Sequence, residues 1–225
     1  MSRFGILAIS KGGRKMSFLQ PYLAAAVLPL GFEIGLAVWK KHRGIPVSVW
    51  RAVGLFVCGL YVTEVLLLTG IPVLQDFLLG YTVPIAANLQ TADYNIWLFH
   101  AFSMNRVDLW LNVFLFVPLG MFVPALWKRG ARKRAMLCSS VLAGALLSAS
   151  IEWMQLWNTR FSDVNDLFCN TLGAFCGGLL WLLFTCRRKS AIPQVPVPRF
   201  LKAEAPLYFL LLYAGFFLLC MPYGI

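Results

Sequence analysis

Apolar residues in this chain come in long unbroken runs, unlike the alternation of a half-buried strand or the single stripe of a soluble amphipathic helix. The runs cover approximately Leu19 to Trp39, Val49 to Thr69, Leu109 to Trp127, Ala135 to Trp157, Val164 to Cys186 and Ala205 to Tyr223. Each is close to the roughly 20 residues a helix needs to cross the hydrocarbon core. The pattern therefore predicts an all-α fold, a polytopic transmembrane bundle of about six spans. Pro29, Gly31 and Glu33 interrupt the first run, which is compatible with a kinked span or a re-entrant segment.

Composition agrees with a membrane class: 60% of the residues are hydrophobic, 13% are charged and the mean hydropathy is +0.73, values far from those of soluble domains. A net charge of +11 would suggest a nucleic-acid partner in a soluble protein. Here the basic residues are confined to short clusters between the runs, so no nucleic acid is expected. Lys40, Lys41, Arg43 and Arg51 lie between the first two runs, Lys128, Arg129, Arg132, Lys133 and Arg134 between the third and fourth, and Arg187, Arg188, Lys189, Arg199 and Lys202 between the fifth and sixth. The positive-inside rule puts all three clusters in the cytoplasm and the connections 70–108 and 158–163 outside. Arg3, Lys11, Arg14 and Lys15 precede the first run and are the exception, since six spans place that tail outside.

The six cysteines lie within or at the ends of apolar runs, without a CxxC pair. They read as small buried side chains, with no support for a thiolate zinc site. The 70–108 connection is long for a structureless loop and reads as a functional or partly embedded segment. Tyr81, Tyr94, Trp97, Phe99 and Phe102 are suited to the outer headgroup level. His100 among them reads as an interfacial side chain.

Candidate chemistry gathers in SASIEWMQLWNTRFSDVNDLFCNTLG, where two apolar runs meet. Ionisable groups at membrane depth are costly and normally face an interior or a wet cavity, so Glu152, Gln155, Arg160, Asp163, Asp166 and Asn170 mark a candidate site. Ser140, Gly144, Ser148 and Glu152 recur every four residues on one face, and Asp166, Asn170, Gly173 and Gly177 share another. Small residues permit close helix approach. The expectation is that the Ser140–Gly144–Ser148 stripe packs against Gly173 and Gly177, bringing Glu152 and Gln155 beside Asp166 and Asn170. Ser162 or Asp163 is placed to cap the fifth helix. Asn112 lies at the same level on the third run, where Pro118 favours a kink and Gly120 offers another close approach. The acids outnumber Arg160, an excess suited to holding a cation, a basic ligand or a proton.

Together, LNVFLFVPLG and IEWMQLWNTRFSDVNDLFCNTLGAFCGG resemble the signature of the VanZ-like membrane proteins. There an asparagine and an F-x-P-L-G helix precede E-x-x-Q, then R, D-x-x-D and N-T-x-G-x-x-x-G. Asn112, Phe116, Pro118, Gly120, Glu152, Gln155, Arg160, Asp163, Asp166, Asn170, Thr171, Gly173 and Gly177 carry the likeness. It covers roughly residues 108–180 and divides the chain into 1–107 (tail, two membrane segments and long connection), a VanZ-like core at 108–186, and 187–225 (linker and last helix). The resemblance implies a multi-pass protein of the bacterial cytoplasmic membrane, in a family named for a component of teicoplanin resistance, without supplying an established reaction.

Two main readings follow. In the first, an outward polar pocket of Asn112, Glu152, Gln155, Arg160, Asp163, Asp166 and Asn170 binds a lipid headgroup, a lipid-linked cell-wall precursor or a lipoglycopeptide, with membrane lipids as constant partners. In the second, the protein is an intramembrane enzyme acting on a lipid-linked substrate. Glu152, Asp163 and Asp166 are then the catalytic candidates, either as acid and base or as ligands of a hard metal. The sequence lacks a GxSxG elbow, an HExxH motif and a P-loop, and requires no cofactor. A third reading, a transporter, has no matching second half to support it.

Overall fold

The computed structural model describes residues 19–85, 106–126, 133–158, 164–186, 201 and 203–221. All regular structure among them is helical: α1 Gln20–His42, α2 Val49–Thr69, α3 Leu74–Leu78, α4 Arg106–Leu126, α5 Lys133–Gln155, α6 Val164–Cys186 and α7 Glu204–Leu219. Five segments are long and apolar enough to cross a membrane. The sixth apolar helix, α7, stops at Leu219 instead of running to Tyr223, and its 16 residues span about 24 Å at 1.5 Å per residue. The basic tail before Leu19, the cluster residues 128–132, 187–189, Arg199 and Lys202, and the connection from 86 to 105 with Tyr94, Trp97, Phe99, His100 and Phe102 lie outside the described residues.

The first run is one continuous helix through Pro29, not a broken re-entrant segment. Proline cannot donate to the carbonyl four residues earlier, here that of Ala25. That carbonyl lies against Gly215 of α7, where an added Cβ would come within 2.9 Å of the oxygen. The side-chain-free glycine thus brings α7 onto the part of α1 whose hydrogen-bond ladder is interrupted. Pro124 does the same in α4: it cannot bond the Gly120 carbonyl, which accepts a 2.9 Å hydrogen bond from Ser140 Oγ of α5. Membrane helices tolerate proline where a neighbouring helix satisfies the freed group, as Ser140 does for the Gly120 carbonyl.

The helices alternate in direction and pack as two groups. α4, α5 and α6 form the tightest, with α6 central; α1 lies along α7; and α2 bridges the groups through α4 and α7. Leu55, Cys58, Val62 and Leu66 of α2, Phe116 and Val123 of α4, and Leu212 and Phe216 of α7 form the shared core. Outward faces remain apolar, as at Leu23, Ile34, Leu142, Leu146, Leu183 and Phe184. So broad an apolar surface suits a lipid environment, not water.

One end of the bundle holds Asp166, with the C-termini of α2, α5 and α7; the other holds Lys40. At the Asp166 end, Gly70 takes a left-handed conformation (φ 60°) and its N–H closes the last turn of α2 onto Leu66 and Leu67. The chain then folds back over the bundle. Ile71 and Val73 are buried, Asp76 accepts from the Val73 N–H at 2.7 Å, and Phe77 meets Trp157 and Phe217 edge-on at 5.4 and 6.1 Å.

At the Lys40 end a charge hub absent from the sequence reading joins four helices. Glu204 Oε1 receives Lys40 Nζ at 3.0 Å and Arg51 Nε at 3.3 Å. Arg51 also donates from Nη1 to the Leu126 carbonyl at 2.5 Å, one of the end-of-helix carbonyls that α4 cannot bond internally. Lys40 and Arg51 are thus structural as well as orienting charges.

The charge pattern predicts a cytoplasmic Lys40 end. In a background without native cysteines, Arg43→Cys and Arg134→Cys are expected to react with an impermeant thiol reagent only after permeabilisation, and Tyr81→Cys before it. Labelling of Arg134→Cys in sealed cells would reverse the orientation.

Candidate functional site

The α5–α6 pairing has a single antiparallel register. Gly178 faces Ser140, with 2.9 Å from an added Cβ to Ser140 Oγ, and Ala174 Cβ occupies the space above Gly144. Asn170 Nδ2 donates to Ser148 Oγ at 2.9 Å. The steps 140–178, 144–174 and 148–170 climb one turn at a time, so the next turn sets Glu152 level with Asp166. Small residues bring the backbones together along the lower turns and acids occupy the top. Of these contacts the Asn170–Ser148 bond resembles the inter-helix hydrogen bonds that contribute about 0.6 kcal/mol in membranes.

This register corrects one expectation. The partner of Ser140, Gly144 and Ser148 is the stripe Asn170, Ala174 and Gly178, whereas Gly173 and Gly177 lie about 100° further round α6 and face α4. An added Cβ at Gly173 would strike the Val113 carbonyl, at Gly177 the Val117 carbonyl, and at Gly120 the Ala174 carbonyl. The GxxxG pair therefore joins α6 to α4, and α6 presents close-approach faces to two neighbours at once.

That second interface brings Asn112 to the acids. Its Nδ2 donates to Asp166 Oδ1 at 2.5 Å, tying the first turns of α4 and α6 together. Asp166 also sits in the first turn of α6, where the helix dipole favours negative charge. Glu152 and Asp166 are both partly buried.

Gln155 also reaches α2. Its Nε2 donates to the Thr69 carbonyl at 3.0 Å, and the neighbouring Asn158 Nδ2 donates to the Gly70 carbonyl at 3.0 Å. These amides cap the last turn of α2, whose final carbonyls have no intrahelical donor. Asn158, like the buried Asn165, is a polar residue the sequence reading passed over. The signal was available, since amides flanking a predicted helix-to-helix turn are natural caps for a neighbouring helix end.

Two acceptor atoms stand out. Asn170 Oδ1 and Gln155 Oε1 are fully enclosed without a hydrogen-bond partner, and their residues are only 4% and 8% exposed. Each uses its amide N–H and leaves its carbonyl unmatched, at a cost of about 1–3 kcal/mol. Arg160, Ser162 and Asp163 lie outside the described residues. Among the described residues no three His, Cys, Asp or Glu side chains group as a metal site.

Comparison with curated proteins and with solved structures gave no match. A family model described as VanZ/LLP1 matches residues 60–185, more than half of the 225-residue chain. The match begins within α2 and ends in α6, so it takes in the α4–α5–α6 group and the polar cluster at its Asp166 end, while α1 and α7 flank it. The chain belongs to the VanZ-like family of membrane proteins.

Proposed function

We propose that this protein resides in the bacterial cytoplasmic membrane and binds a polar headgroup at its outward, Asp166 end: that of a lipid, a lipid-linked cell-wall precursor or a lipoglycopeptide. The observation carrying this reading is the meeting of Asn112 with Asp166 across the first turns of α4 and α6, with the partly buried Glu152 on the facing turn of α5 and the unmatched carbonyl oxygen of Asn170 about one turn deeper. Such a set of acceptors suits a ligand rich in hydroxyl, amide or ammonium donors, and a sugar–peptide headgroup has these. The apolar helix faces below suit the attached chain. By holding such molecules at the outer leaflet, the protein would alter access of teicoplanin-type antibiotics to their precursors and so contribute to glycopeptide resistance.

Neutral isosteres test the reading. Glu152→Gln, Asp163→Asn and Asp166→Asn are expected to abolish binding of purified protein to lipid-linked precursor or lipoglycopeptide, with thermal stability in detergent close to the parent. Survival under a lipoglycopeptide, or another envelope phenotype of the deletion, should fall with binding. A purely structural network predicts the reverse order: removing hydrogen bonds to charged groups costs about 1.5–3 kcal/mol each, so stability and abundance would fall first. Unchanged binding in all three variants would end the proposal. Chelator-sensitive turnover of the precursor would replace binding with catalysis.

A further inference from the structure

The turn between α1 and α2, at the opposite end from the proposed headgroup site, carries a second site of different chemistry. His42 ends α1, and Gly44, at φ 65°, reverses the chain so that the Ile45 N–H returns to the Lys40 carbonyl at 2.9 Å. The fold-back encloses a shallow cleft of about 460 Å³ lined by Ala37, Val38, Ile45, Pro46 and Val47, with Lys41 the charged residue on its wall. The lining is apolar apart from one cation.

The charges here are unevenly used. Lys40 and Arg51 both pair with Glu204. Lys41 and Arg43 are exposed and join no ion pair among the described residues; the Arg43 guanidinium instead lies 5.8 Å from the centre of the Trp39 ring. An apolar track leads into the cleft. Leu23, Val27, Leu30, Ile34 and Val38 are exposed at spacings of four, three, four and four along α1, one lipid-facing stripe that ends at the cleft wall. Across the turn, Trp50 is 83% exposed, a residue suited to the headgroup level.

We infer that this cleft binds an anionic phospholipid, with one acyl chain along the Leu23–Val38 stripe and the phosphate between Lys41 and Arg43. A zwitterionic lipid fits the same track but gains less from two unpaired cations. The positive-inside assignment places the cleft at the inner leaflet, where anionic lipid attracts basic groups next to a membrane helix. The lipid would lie against α1 and the α1–α2 turn.

Native mass spectrometry of the whole protein with an equal mixture of phosphatidylglycerol and phosphatidylcholine of identical chains tests this. Each cation near the surface is worth about a five-fold preference, so the parent is expected to retain phosphatidylglycerol about thirty-fold over phosphatidylcholine in its last-lost adduct. The double variant Lys41→Gln, Arg43→Gln should bring that ratio near one. Both side chains are exposed, so folding is spared. The variant Lys133→Gln, Arg134→Gln removes two exposed cations elsewhere at the same end, and should leave the ratio unchanged. Equal loss in the two double variants would mean generic attraction and would overturn the site. So would a parent without preference, or displacement of the lipid by excess glycerol phosphate, which lacks the chains.

Discussion

Replacing Gly177 by alanine is expected to destabilise the protein more than any single surface change, although it adds one methyl group. That methyl would collide with the Val117 carbonyl oxygen, with the Gly120 Cα only 3.0 Å away. Both obstacles are backbone, and no rotamer change can relieve them. The helices α4 and α6 would have to separate, and in a membrane their association rests on van der Waals packing and inter-helix hydrogen bonds, with little hydrophobic drive. Overpacking a tight interface costs about 1–3 kcal/mol. Parting these helices would also strain the Asn112–Asp166 bond, so the upper end of that range is expected. Gly177→Leu should abolish folded yield. Gly31→Ala and Gly35→Ala are the controls: no atom lies within 4 Å of either added Cβ, and alanine favours helix over glycine by about 1 kcal/mol. Thermal unfolding in detergent and monodispersity on size exclusion measure the difference. If Gly177→Ala melts with Gly31→Ala, the α4–α6 contact is not close.

The second large effect is expected at Glu204. Its carboxylate is the counter-charge for two cations whose side chains are 11% and 19% exposed, while its own is 6% exposed. Glu204→Gln would leave Lys40 and Arg51 facing each other in a poorly solvated site. Breaking a buried pair by removing one partner costs about 3–5 kcal/mol, and here one removal strips two partners. Lys40→Met should cost much less, because Glu204 keeps Arg51 and the methionine fills the stem's volume. The order of melting temperatures is therefore parent, then Lys40→Met, then Glu204→Gln. Equal stability of parent and Glu204→Gln would show that the hub contributes nothing to the fold.

Both sites lie where local sequence and long-range structure meet differently. The α4–α5–α6 group, joined by short connections, offered its chemistry in readable form: polar residues at fixed helical spacing within apolar runs, and a motif likeness covering the same stretch. The candidate site residues Asn112 and Asp166 come together across the α4–α6 contact, and Asn170 meets Ser148. Glu204 carried no such signal. An acid just before an apolar run looks like any helix-start acid, and only the return of α7 to α1 and α2 turns it into a buried partner.

By itself the sequence determined where the long helices form, because the length of an apolar run is a local property and the bilayer sets its scale; the short α3 and the early end of α7 at Leu219 were not in it. It also determined which helix faces can approach closely, since glycine, alanine and serine at a spacing of four lie in line whatever surrounds them. The choice of partner belonged to the tertiary structure. A stripe such as Gly173–Gly177 states that a backbone fits there but not whose, and two stripes 100° apart on α6 were each open to α4 or α5. Proline acted the same way: Pro29 and Pro124 freed carbonyls, and Gly215 and Ser140 were assigned to them only when α7 and α5 had docked. Gln155 became a cap for α2 because the end of α2 arrived beside it with bare carbonyls. Contacts between helices distant in sequence depend on how all the faces can be satisfied together, a condition that no single segment contains.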